Sequence, residues 1–117
     1  MDSALTVVTK ESVEDFINEN EVTVLYFWHP VCLGCVDILP EIEMIAREYS
    51  GRVSFGSVNT DLHGKMDPEI VEKMKVNSTP TVIVTWMGQL VAYFYMTSEI
   101  TPKAIRLVLE HHYKTMD

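Results

Sequence analysis

The sequence predicts an α/β fold, with a mixed central sheet of about five strands and helices on both faces. Three observations predict it. Apolar runs rich in β-branched and aromatic residues alternate with segments of helical period. Two of the later runs are separated by a Gly-X pair, which joins antiparallel strands in a tight hairpin. The earlier runs are separated by helical segments, and such crossovers are right-handed and join parallel strands. The order along the chain is β-α-β-α-β-α-β-β-α, as one domain over residues 1–117.

Ala4 to Val8 reads as a short strand, and Lys10 to Asn20 as a helix with Val13, Phe16 and Ile17 on one face. Val22 to Trp28 (VTVLYFW) is almost continuously apolar, which suits a central strand covered on both faces. Leu33 to Tyr49 places Ile38, Ile42, Ile45 and Tyr49 at helical spacing, and Pro40 within it predicts a kink. Val53 to Asn59 is a shorter strand, and Thr60 to Lys65 a loop. Asp67-Pro68 is an N-cap followed by proline at the first helical position, opening a helix to Met74. Thr81 to Met87 and Leu90 to Met96 are strands, joined by Gly88-Gln89 in a two-residue type II′ turn. Thr101-Pro102 repeats the cap-then-proline signal, and the last helix sets Ile105, Val108, Leu109 and His112 on one side.

A chain of 117 residues buries about two-thirds of its unfolded surface, enough for one core without metal or disulfide staples. No apolar run approaches the ~18 residues of a membrane helix. The start, with an acid at position two, does not read as a secretory signal, which points to the cytoplasm. The net charge is −8, from 9 Lys and Arg against 17 Asp and Glu. Such a surface repels phosphate backbones and anionic lipid, so neither nucleic acid nor membrane is expected as a partner. No Gly-rich dinucleotide fingerprint occurs, and no cofactor is expected.

The two cysteines, Cys32 and Cys35, carry most of the functional information. A secreted disulfide scaffold would show four or more, and a structural zinc site a second Cys or His pair at matching spacing. The pair falls where the VTVLYFW strand hands over to a helix. There the unpaired backbone N–H groups and the macrodipole favour an anion, lowering a thiol from about 8.5 toward about 7. One helical turn also lets the second thiol resolve a mixed disulfide formed by the first. Reversible redox chemistry fits best; an inert buried pair and a metal site are the competing readings.

The segment Phe27-Trp28-His29-Pro30-Val31-Cys32-Leu33-Gly34-Cys35, with Pro40 downstream, resembles the active-site segment of the thioredoxin family. Val58-Asn59-Thr60-Asp61 resembles that family's third strand and its exit. Ser78-Thr79-Pro80-Thr81, followed by an apolar strand and Met87-Gly88-Gln89, resembles its cis-proline loop and final hairpin. The resemblance implies the thioredoxin fold, with Thr79-Pro80 cis beside the cysteines. It implies that Cys32 is the exposed nucleophile and Cys35 the buried resolving thiol. Trp28, Thr79, Pro80, Val31 and Met96 are then the residues that meet a bound peptide. It implies protein disulfides as substrates and a thioredoxin-reductase-like recycling partner, with the chain a monomer.

The departures from that family bear on mechanism. Tyr26 stands where a buried aspartate is usual, Ser57 where a lysine accompanies it, and Leu33-Gly34 where Gly-Pro is usual. Val31 replaces a tryptophan, and Met96 a glycine beside the substrate groove. A phenol of pKa ~10 is a poor base at neutral pH. His29, three residues before Cys32, is the catalytic candidate to stabilise the thiolate or shuttle the resolving proton, since an imidazole titrates near ~6.5. The competing reading is a solvated loop histidine. His63, His111 and His112 read as surface or core residues, and Asp37, Glu41 and Glu43 as the wet side of the second helix. Trp86 and Tyr93-Phe94-Tyr95 read as sheet packing. The leading function is a cytosolic thiol–disulfide oxidoreductase acting as a protein-disulfide reductase at Cys32/Cys35. The rivals are an oxidase or isomerase, and a non-catalytic binding module.

Overall fold

The computed structural model describes residues 3–116. Met1 and Asp2, which entered the reading of the N-terminus, lie outside the described residues, as does Asp117. Eleven elements follow in order: β1 (Thr6–Val7), α1 (Val13–Glu19), β2 (Val22–Trp28), α2 (Leu33–Glu48), β3 (Ser54–Asn59), β4 (Asp61–Leu62), β5 (Lys65–Met66), α3 (Pro68–Met74), β6 (Thr81–Trp86), β7 (Gln89–Phe94) and α4 (Pro102–Met116). The main sheet is ordered β1-β3-β2-β6-β7. β1, β3 and β2 are parallel, and β6 and β7 add antiparallel strands, as the alternation and the hairpin predict.

β2 is the central strand because every residue but its last is buried. Its side chains alternate between two cores. Val22, Val24 and Tyr26 join the cluster under α2 and α4, which includes Ile38, Ile42, Ile45, Ile105 and Leu109. Leu25 and Phe27 join the cluster on the opposite face, with Val13, Val58, Ile70 and Ile83. The Thr23 and Thr85 hydroxyls bond each other across β2 and β6, so these buried polar groups satisfy one another. α2 continues through Pro40, which is exposed.

Several boundaries differ from the sequence expectation. β1 pairs over two residues only. α1 starts at Val13 rather than Lys10, because Thr9 and Ser12 close a turn: the Thr9 amide donates to Ser12 Oγ at 2.9 Å and the Ser12 amide to Thr9 O at 3.1 Å. The stretch from Thr60 to Lys65 is not a plain loop, since β4 and β5 form a two-stranded ribbon about His63 and Gly64, both at positive φ. The β6–β7 turn is Met87-Gly88 rather than Gly88-Gln89, with φ of 51° and 82°, and Trp86 pairs with Gln89. Two left-handed central residues make it type I′, not II′. β7 ends at Phe94, so Met96 lies beyond the strand. The Met96 carbonyl accepts from the Glu99 and Ile100 amides in the turn that leads to α4. Along β7, Ala92 pairs with Val84 and Leu90 with Thr85, so Val91 is an extra residue, a bulge.

Candidate functional site: the Cys32–Cys35 corner

Strand β2 ends at Trp28, and the chain turns through His29-Pro30-Val31 into α2, whose N-cap is Cys32. The Cys35 amide donates to Cys32 Sγ at 3.1 Å, so one of the helix's otherwise unpaired N–H groups points at this sulfur. Cys32 and Cys35 form a disulfide, with Cα atoms 5.3 Å apart. Cys32 is half-buried, whereas Cys35 is only 3% exposed and belongs to the core under α2. One sulfur therefore faces the surface and the other the interior.

The Thr79-Pro80 peptide is cis, and Pro80 is buried against the turn between the cysteines. A Cβ on Gly34 would lie 3.5 Å from Pro80 Cδ and 2.7 Å from Thr97 Oγ1. Glycine is thus what lets three segments meet: the cysteine turn, the proline loop and the turn after β7. Thr79 is half-buried, and Val31 is 84% exposed immediately before Cys32. Met96 is exposed and adjoins Thr97, the residue that reaches Gly34.

Tyr26 takes the place beneath the site. Its hydroxyl donates to the Cys35 carbonyl at 2.6 Å. Burial pushes its phenol up to about 12, so it stays protonated and acts as a donor. His29 is mostly buried, not the solvated loop residue of the competing reading. Its Nδ1 accepts from the Val31 amide at 3.1 Å, which leaves the proton of a neutral ring on Nε2. Nε2 lies 3.0 Å from Asp61 Oδ1, close in distance but without hydrogen-bond alignment. Trp28 is half-buried, and its carbonyl accepts from the Thr60 amide and hydroxyl. Trp28, His29 and Cys35 share the wall of a pocket of about 330 Å³ between α2 and the β1–β3 side of the sheet.

His63 is exposed at the ribbon tip, and the His112 ring lies 5.7 Å from that of Trp86. Among the described residues no group of three or more His, Cys, Asp or Glu is placed to hold a metal, and no helix is long and apolar enough to cross a membrane. Two residues of the site escaped the sequence reading. Asp61 is placed by the parallel register: Trp28 pairs with Asn59, so the residues after each strand end meet. Thr97 carried no comparable signal.

Comparison with known proteins agrees with this arrangement. A family model described as Thioredoxin matches residues 4–106. The chain is 38% identical over 83 residues to a chloroplastic M-type thioredoxin of Spinacia oleracea, covering 70% of this chain and 44% of that protein. It is 31% identical over 90 residues to thioredoxin 1 of a Nostoc species, covering 76% and 80%. The chain thus spans under half the length of the spinach relative. Among solved structures, Fasciola hepatica thioredoxin superposes with a TM-score of 0.76 at 27% identity, covering 92% of this chain and 99% of that one. Mitochondrial thioredoxin 3 of Saccharomyces cerevisiae, in its oxidised form, gives 0.75 at 20% identity over 92% and 95%, a likeness of fold.

Proposed function

The chain belongs to the thioredoxin family, and on that premise we propose that it is a thiol–disulfide oxidoreductase working as a protein-disulfide reductase. The observation that carries the reading is the cysteine pair itself: half-buried Cys32 at a helix N-terminus, bonded to buried Cys35 a single turn further on. In the reduced protein the Cys32 thiolate attacks one sulfur of a substrate disulfide. A Cys32–substrate S–S bond forms, the substrate's own S–S bond breaks, and the departing thiolate takes a proton from water. Cys35, deprotonated, then attacks Cys32 Sγ; the Cys32–Cys35 bond forms, the Cys32–substrate bond breaks, and the second substrate sulfur leaves as a thiolate that takes a proton from water. Two electrons pass to the substrate, and a thioredoxin-reductase-like partner returns them.

Each neighbour has a part in this scheme. The Cys35 amide at Cys32 Sγ and the α2 N-terminus favour the thiolate. His29 supports the same stabilisation through placement: its Nδ1 accepts from the Val31 amide and so fixes the turn that presents Cys32 at the helix N-terminus. Thr79 and Pro80 offer backbone to an extended substrate, in the manner of strand addition. Trp28, Val31 and Met96 supply apolar contact. Tyr26, protonated throughout the neutral range, anchors Cys35 but takes no proton, so the resolving proton leaves through water. No bound cofactor is required. We place the protein in the cytoplasm, a reducing compartment, acting as a monomer.

Dithiol-driven reduction of insulin disulfides tests the proposal. Wild type should be active and Cys32→Ser inactive; equal inactivity of both would hand the site to the binding-module reading. A redox titration of the Cys32/Cys35 couple separates directions. A potential near −270 mV, about the thioredoxin value, marks a reductant, whereas about −120 to −180 mV marks an oxidant or isomerase.

A further inference from the structure

The flank of α2 beside the disulfide carries a pattern that the exchange chemistry does not use. Going round the helix at 3.6 residues per turn, Val36, Leu39 and Glu43 form one wall of the 330 Å³ pocket, with Leu5, Trp28 and Cys35 among its other walls. Next comes a ridge of Leu33, Pro40 and Met44. Leu33 is 87% exposed, Val36 67%, Met44 43% and Leu39 38%. Beyond the ridge stand Asp37 and Glu41, both exposed. Among the described residues neither makes an ion pair or a side-chain hydrogen bond, whereas Arg47 is matched with Glu43 at 3.4 Å. The flank is therefore apolar, indented next to the buried cysteine, and edged by uncompensated negative charge. Apolar surface of this kind, rimmed by polar groups, marks an interaction site.

Resting on the oxidoreductase reading, we propose that this flank is a second docking surface for the substrate polypeptide. It takes a bulky apolar side chain in the pocket beside Val36 and Leu39, and a Lys or Arg against Asp37 and Glu41. The spacing fixes where that motif sits. Val36 and Leu39 lie four and seven residues along the helix from Cys32, or about 6 and 10 Å of axial rise. An extended substrate advances about 3.3 Å per residue, so the apolar residue belongs two or three positions from the substrate's cysteine, with the basic residue next to it. The charge pattern excludes an acidic segment, because each added carboxylate would face Asp37 or Glu41 with no cation free on the ridge.

The test uses the pre-reduced full chain and three probes. These are the symmetric disulfides of the peptides Cys-Gly-Gly-Leu-Lys-Lys and Cys-Gly-Gly-Ala-Ser-Ser, and bis(2-hydroxyethyl) disulfide. The Leu-Lys-Lys peptide should be reduced about tenfold faster than the Ala-Ser-Ser peptide in low salt, with the gap narrowing as salt screens it. Val36→Glu with Leu39→Glu should bring the ratio below about twofold. Asp37→Asn with Glu41→Gln, a change of exposed residues that preserves shape, should remove the salt-dependent part alone. Reduction of the hydroxyethyl disulfide should change less than twofold in either variant. Equal rates on the two peptides in wild type, or a preference that survives Val36→Glu with Leu39→Glu, overturns the docking surface. Failure of wild type to reduce the hydroxyethyl disulfide overturns the oxidoreductase reading itself.

Discussion

Replacing Tyr26 by Phe removes one oxygen from the floor of the site and leaves the ring. The hydroxyl is a donor to the Cys35 carbonyl at 2.6 Å, and the residue is 2% exposed. A net hydrogen bond of this kind contributes about 1 kcal/mol, and the carbonyl keeps its helical partner, so the loss should stay near that value at pH 7. Unfolding entropy of ~2.1 cal/mol/K per residue gives roughly 0.25 kcal/mol/K for this chain, so Tm should fall by about 4 °C. The bond ends on main chain rather than on sulfur. Oxidised and reduced forms should therefore lose equally, and the potential should move by less than about 10 mV.

The alkaline limb supplies the sharper test. The folded phenol is pushed up to about 12 by burial, against about 10 in the unfolded chain. A raised pKa means that the stabilisation is complete below pH 10 and is lost as pH rises toward 12. The total is roughly 2–3 kcal/mol for two pH units. Phe has nothing to ionise. The variant should be less stable than wild type at pH 7, draw level between about pH 10.5 and 11, and be the more stable protein above that. Tyr49, also pushed up to about 12, first by burial and then by Glu110, is present in both proteins and cancels. Urea unfolding of the oxidised proteins from pH 7 to 11.5 reads this directly. An unchanged midpoint at pH 7, or a gap that does not close between pH 10 and 11, would refute the donor role.

Ile42, 1% exposed on the inner face of α2, should cost about 2–5 kcal/mol when cut to Ala; a urea midpoint shift worth under 1 kcal/mol would contradict its place in the core. Gly34→Ala should destabilise by about 1 kcal/mol or more because its Cβ meets Thr97 Oγ1, and adding Thr97→Ala should restore at least half of that; additive losses would mean that the two do not touch. The Asp67 carboxyl is held below its usual range by its hydrogen bond to Lys10, so its stabilisation is present above about pH 4 and lost as pH falls further. Asp67→Asn should flatten the acid limb of the urea midpoint below pH 4, and an unaltered limb would count against that pairing. His29→Ala should move ionisation of the reduced Cys32 thiol to higher pH, read by its ultraviolet thiolate absorbance; an unmoved curve removes His29 from the mechanism.

What the chain discloses without coordinates follows from how local each cause is. β2 is legible because seven consecutive residues are apolar or β-branched, and both faces of that strand are covered. The caps at Asp67 and Thr101 are legible because side chain and first turn adjoin: Asp67 Oδ1 accepts from the Glu69 amide and Thr101 Oγ1 from the Ala104 amide. The Cys32–Cys35 pair is legible for the same reason. The Met87-Gly88 turn lies one residue from where the Gly-X signal sets it, because Gly88 serves equally as first or second central position and only the pairing of Trp86 with Gln89 decides. The ribbon of β4 and β5 has two residues per strand, too few for any period to declare itself. Asp61 beside His29 and Thr97 over Gly34 are long-range meetings, set by strand register and by the path of a turn.

The extra residue at Val91 has a consequence for how the sheet meets other molecules. β7 is the sheet's outermost strand on its side, and six residues of open main chain invite another molecule to zip alongside. A one-residue slip in the middle of that rim coils it and breaks the even comb of donors and acceptors that a neighbour would have to match. A small imperfection in pairing thereby discourages fibrils and accidental dimers, and leaves the working corner, at the other end of β2, as the place where strangers are met.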